Sequence, residues 1–149
     1  MEACYTTEAR QVNAFLLDTH YWLWFQSANT DELSATDRRH LDALQMTKRL
    51  HISAISILEL ARLVSAGKLD LGMTIERFIE EATAEGNLTL LPLSPQILIE
   101  STRLPGDIHR DPSDRLLIAT AREHGLTLIT RDKEILKYAA RGHLNARKP

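Results

Sequence analysis

The sequence predicts an α/β fold, a doubly wound and mainly parallel sheet flanked by helices. Short aliphatic or β-branched runs alternate with helix-length segments along the chain, the pattern from which parallel sheets are built. The stretch HRDPSDRLLIATAREHGLTLITRD, from His109 to Asp132, carries one complete helix–strand unit of that alternation. No repeat, low-complexity run or linker interrupts it, so a single domain is expected over residues 14–149.

At 149 residues, 44% of them hydrophobic, the chain is long enough to bury one core. Lys plus Arg 18 against Asp plus Glu 20 leaves a net charge of −2, so nucleic acid would have to bind a local basic patch. The single Cys4 excludes an internal disulfide framework and a cysteine-rich zinc site. No run approaches the roughly 18 apolar residues of a membrane span, and the polar N-terminus lacks a signal-peptide core; a cytoplasmic location is expected.

Residues 1–13 are polar and without period, and are read as an extension that frays or docks late. Ala14 to Leu17 forms a short buried strand ending in Asp18, followed by an amphipathic helix through Tyr21, Trp22, Leu23, Trp24 and Phe25. Both tryptophans are assigned to the core or to a dimer surface rather than to a stacking platform. Ser34 caps a helix to Thr47; Leu50 to Ile52 is the second strand and Ser53 to Ser65 the next helix. In that helix Glu59 stands among Ile57, Leu58 and Leu60, where a glutamate must be paired, coordinated or turned back to the strand edge. Ser53 and Ser56 are candidate supports for it, or caps. A helix over Thr74 to Glu85, a strand over Leu88 to Leu91 and a helix from Ser94-Pro95 to about Arg103 follow.

Asp111-Pro112 is a helix start, because aspartate accepts from the free N–H groups of the first turn and proline fits the first helical position. Gly125 stops that helix, Leu126 to Thr130 is a buried strand, and Lys133 to Ala140 is a short helix before an edge strand near His143 to Ala146. A helix of about twelve residues rises roughly 18 Å and five strand residues roughly 16 Å. The chain therefore returns to its starting level, and Asp114 and Asp132 share one edge.

With right-handed crossovers, Asp18, Glu59, Asp114 and Asp132 all meet at the carboxyl ends of the strands, where open parallel sheets bind ligands. Four acids at close quarters raise one another's pKa unless a cation neutralises them. Mg²⁺ or Mn²⁺ suits carboxylate oxygens. Such an ion lowers the pKa of a water and holds a phosphodiester for in-line attack, so phosphodiester hydrolysis is the expected chemistry.

The segments LLDTHYWLW at 16–24, SAISILEL at 53–60, HRDPSDRLLIATA at 109–121 and LITRD at 128–132 resemble, in order, the four blocks of a PIN domain, and more narrowly the VapC-type ribonuclease toxins of bacterial toxin–antitoxin pairs. The resemblance spans roughly residues 14–140. It implies that Asp18, Glu59, Asp114 and Asp132 are the catalytic quartet that binds Mg²⁺ or Mn²⁺, and that Thr130 orients an acid or a water. RNA as substrate, a homodimer and a cognate antitoxin that enters the site are implied as well. Asp111 belongs to the recurrent block but outside the quartet, and is expected to cap its helix. The family usually places its first aspartate within the first several residues; removing residues 2–12 is therefore expected to leave stability and cleavage unchanged.

Arg110, Arg115, Arg131, Lys133 and Lys137 flank the acids in sequence and are candidates to hold RNA phosphates. The alternative is pairing with Asp107, Asp111 and Glu134. His20 and His109 are candidates for substrate contact, each with a surface or capping role as the plainer reading. Two competing functions are a binding module without turnover and a phosphoacceptor signalling domain. The latter lacks the adjacent acidic pair expected after the first strand and the lysine expected after the last.

Overall fold

A computed structural model describes residues 13–27, 31–108 and 111–149. Cys4, His109, Arg110 and nearly all of the N-terminal extension lie outside the described residues. The order is β1 (Phe15–Leu17), α1 (Thr19–Gln26), α2 (Ala35–Met46), β2 (Leu50–Ser53), α3 (Ala54–Ser65), α4 (Ile75–Thr83), β3 (Thr89–Leu91), α5 (Pro95–Glu100), α6 (Pro112–His124), β4 (Thr127–Ile129), α7 (Lys133–Ala140) and β5 (Ala146–Arg147). The five strands form one sheet in the order β3-β2-β1-β4-β5, and every neighbouring pair is parallel. The expected α/β architecture is therefore present.

Strand alternation sends neighbouring side chains to opposite faces, and the core divides accordingly. Phe15 and Leu17 of β1 join Leu50, Ile52 and Ile129 in an aromatic-rich layer with Tyr21, Trp22, Phe25, Leu41, Leu60 and Phe78. Leu16 turns the other way and meets Leu128, Ile97, Leu117, Ile118, Ala121 and Tyr138. The largely apolar middle of α6 fits this burial, since Leu117 to Ala121 is enclosed along its whole length, with the Thr120 hydroxyl satisfied by the Leu116 carbonyl.

Each of the seven helices among the described residues begins at a Ser, Thr or Asp whose side-chain oxygen accepts a first-turn N–H. Gly125 ends α6 in the left-handed conformation at φ 64°, as its position predicts.

Three element ends differ from the sequence reading by more than one residue. Helix α5 stops at Glu100 rather than near Arg103, because the Ser101 and Thr102 hydroxyls bond back to the carbonyls of Leu98 and Ile99 and turn the chain. Helix α4 stops at Thr83 rather than Glu85: Ala84 is extended, and Asn87 takes the carbonyl of Glu81 with its side chain. The last strand lies at Ala146–Arg147, not 143–146, because His143 stacks on Tyr138 at 4.9 Å and Leu144 is buried in the core. No helix of the described residues is long and apolar enough to cross a membrane.

Candidate active site

The strand order reverses between β1 and β4, and in such sheets a crevice opens beyond the carboxyl ends at the reversal. Here that crevice is a cleft of about 470 Å³ lined by Asp18, Thr19, His20, Trp24, Glu59, Asp111, Asp114, Leu117, Thr130, Arg131, Asp132 and Ile135. All four acids expected at this edge line it. Asp111 joins them.

Asp18 ends β1 and caps α1. One carboxylate oxygen accepts from the Tyr21 N–H at 2.9 Å and the other from the Thr130 hydroxyl at 2.8 Å. Thr130 is fully buried, and its hydroxyl also accepts the backbone N–H of Asp132 at 3.1 Å. One hydroxyl thus ties the end of β1 to the turn that delivers the next acid. Asp132 itself caps α7, accepting from Glu134 and Ile135.

Glu59 is half-buried on α3, and Thr19 donates to it at 2.9 Å. The buried Thr19 shares a second bond, 2.8 Å, with Ser56 one turn earlier on α3. Ser53 caps α3 instead of supporting Glu59. Thr19 escaped the sequence reading, although a hydroxyl directly after a strand-end acid, with a serine three residues before the buried glutamate, is the pattern that marks such a bridge.

Burial raises the pKa of Asp18, with the Tyr21 N–H, the Thr130 hydroxyl and His20 working against it and Asp132 reinforcing it. Glu59 is raised by burial too, opposed by the Thr19 hydroxyl and reinforced by the charge of Asp111. Asp114, half-buried in the first turn of α6, also lines the cleft. Asp111 caps α6 by accepting from Ser113 at 2.9 Å, as expected of it.

Among the described residues no three His, Cys, Asp or Glu side chains stand close enough to enclose an ion by themselves. The donor set nevertheless fits Mg²⁺ or Mn²⁺. It consists of hard carboxylate oxygens, its buried members repel one another, and such an ion commonly binds one or two carboxylates while keeping waters and substrate phosphate oxygens in its shell.

The basic residues divide. Arg131 lines the cleft, lying over Trp24 and paired with Glu32. Arg115 does not reach the cleft, because its guanidinium donates to the carbonyl of Ser101 at 2.8 Å. Lys133 is exposed outside the lining, and Lys137 pairs with Glu134 at 3.7 Å. His20 is exposed at the mouth. Trp22 is core, as expected, whereas Trp24 is only half-buried and turns toward the acids. A helical step of two residues places two side chains on nearly opposite faces, and this separates them.

The PIN-domain family model matches residues 15–141, and the chain belongs to that family. Among its relatives is Ribonuclease VapC22 of Mycobacterium tuberculosis, 30% identical over 120 residues that cover 80% of this chain and 88% of that protein. The fold is similar to that of VapBC2 from Rickettsia felis bound to a DNA fragment from its promoter, with a TM-score of 0.65 at 17% identity over 91% of this chain and 98% of that one. It is similar also to FitAcB from Neisseria gonorrhoeae, with a TM-score of 0.58 at 19% identity over 91% and 97% of the two chains.

Proposed function

We propose that this protein is a Mg²⁺- or Mn²⁺-dependent endoribonuclease that acts as the toxin of a toxin–antitoxin pair. The observation that carries the reading is the pair Asp18 and Glu59, two half-buried carboxylates raised by burial, held by hydroxyls and open to a cleft at the sheet's reversal point. Similarity to a ribonuclease over 80% of the chain supports RNA as the substrate. The complexes among its structural neighbours support a cognate antitoxin as partner. A homodimer is part of the same proposal.

Asp18 and Glu59 are the principal metal-holding groups, with Asp114 and Asp132 completing the acidic rim. A divalent ion bound there supplies an activated water and screens the charge that develops on phosphorus and the leaving oxygen. Thr130 fixes the rotamer of Asp18, and Thr19 fixes that of Glu59. His20 and Arg131 stand at the mouth, where the substrate enters.

The test is cleavage of total RNA and of single-stranded DNA by antitoxin-free protein in Mg²⁺, Mn²⁺ or EDTA, beside Asp18→Asn. RNA cuts that need the ion and vanish in the variant are expected. Absence of cuts under every ion, from folded and partner-free protein, would replace the nuclease with a binding module.

A further inference from the structure

Trp24 is immobilised at the lip of the cleft. Tyr21 meets its ring edge-on at 5.2 Å and 79°, His20 lies tilted against it at 5.7 Å, and Arg38 holds its carbonyl at 3.0 Å. The guanidinium carbon of Arg131 sits 4.1 Å from the centre of the indole ring. Arg131 is joined also to Glu32, yet its side chain remains 46% exposed.

This arrangement is a poor claw for phosphate. Glu32 already answers the guanidinium charge, and Asp132 is the next residue along the chain. It is a good platform. A planar guanidinium backed by an indole and fixed at one edge by a carboxylate offers a flat, preorganised surface at the mouth of the cleft. Unpaired RNA bases stack on aromatic rings and on arginine planes alike.

Resting on the ribonuclease reading, we propose that Arg131, backed by Trp24, forms a nucleobase-stacking subsite that receives one unpaired base beside the scissile phosphate. Arg131 touches the base, and Trp24 positions Arg131. Stacking reads no hydrogen-bond pattern, and Glu32 occupies part of the guanidinium edge. The subsite therefore selects single-stranded over paired RNA and is tolerant of base identity.

The test compares wild type with Arg131→Lys, Arg131→Ala and Trp24→Phe on a short single-stranded RNA carrying 2-aminopurine and on its duplex. Cleavage kinetics, salt dependence of binding and fluorescence are followed. Wild type is expected to quench 2-aminopurine in the single strand. Both Arg131 variants are expected to lose that quench and to raise KM roughly tenfold, with kcat changed much less. The salt slope of binding should stay constant, and Trp24→Phe should fall between wild type and Arg131→Ala.

Rescue by lysine, with the slope in Arg131→Ala smaller by about one, would make Arg131 a phosphate contact and overturn the subsite. Wild-type KM and quench in both Arg131 variants, beside a wild type that cuts RNA, would also overturn it while leaving the nuclease intact. Wild type that neither binds nor cuts any RNA removes the ribonuclease reading first. If Trp24→Phe fails to fold, the exposed Arg131 variants decide alone.

Discussion

The acids of the cleft are held in two opposite ways. Asp18 and Glu59 are half-buried, desolvated and steadied by the hydroxyls of Thr130 and Thr19. Asp111 and Asp132 are exposed and cap α6 and α7, where backbone N–H groups and the helix dipole favour negative charge. Capping acids contribute stability whether or not the protein acts on anything. A desolvated carboxylate paired with no lysine or arginine among the described residues, as at Asp18 and Glu59, opposes folding. Asp18 belongs to both classes, since it also caps α1. The contrast teaches where function outweighs stability: at Asp18 and Glu59.

The largest effect expected from this contrast is on catalysis at the buried pair, Asp18 and Glu59. Asp18→Asn and Glu59→Gln should lose more than the roughly 10–100-fold that changes to supporting residues around a metal cost. Both should melt no lower than wild type at neutral pH, because asparagine caps as well as aspartate and each variant removes a buried charge. Asp132→Ala, by contrast, should lose about 1 kcal/mol of stability along with cleavage. Urea melts beside cleavage assays separate the two kinds of acid, and a destabilised Asp18→Asn would erase the distinction.

Thr130→Val comes next. It strips one acceptor bond from Asp18 and leaves the Asp132 N–H without its partner, so a loss of roughly 1–3 kcal/mol is expected together with about a 10–100-fold fall in cleavage. Cleavage at the wild-type rate would show that Asp18 needs no such steadying.

Acidity sharpens the comparison further. The pKa values of Asp18 and Glu59 are raised in the fold, so between the ordinary carboxylate range and the raised values the folded protein binds more protons than the unfolded chain. Stability contributed by these groups therefore falls as pH rises through that window and is regained as pH drops back. In EDTA, the stability of wild type minus that of the Asp18→Asn/Glu59→Gln double variant should grow as pH falls. A difference that shrinks instead would mean the carboxylates are stabilised as anions in the fold.

The smallest effect on activity belongs to Arg115. Tied to the Ser101 carbonyl, it braces α6 against the end of α5. Arg115→Ala should leave RNA binding and cleavage unchanged while lowering stability by about 1.5 kcal/mol. Weakened RNA binding would return Arg115 to the substrate path.

What the sequence disclosed was mostly local. Asp111, Pro112 and Gly125 bracket α6 because capping and left-handed geometry depend on a few adjacent residues. Glu59 stood out because an acid amid aliphatic residues of one helix needs a reason. The parallel sheet followed from alternation. What stayed hidden was contact between distant segments: Thr19 bridging to α3, and Arg131 lying across Trp24. Neither leaves a local trace. Arg115 shows the converse error, since closeness in sequence to the acids said nothing about the direction of its side chain. The end of α5 was missed because Ser101 and Thr102 close it with their own hydroxyls, a stop that carries no glycine or proline.

The bond from Thr130 to Asp18 joins residues 112 apart. Of the described strands β1 is made first, and it lies at the centre of the finished sheet, yet its β4 edge has no neighbour until residues 127–129 exist. At about 5–20 residues per second, on the order of ten seconds of translation separate the two. Throughout that interval an apolar strand edge is available to the wrong partner. The cleft needs residues 111–135 as well as Asp18 and Glu59, so its acids stay apart in a nascent chain until that stretch has left the ribosome.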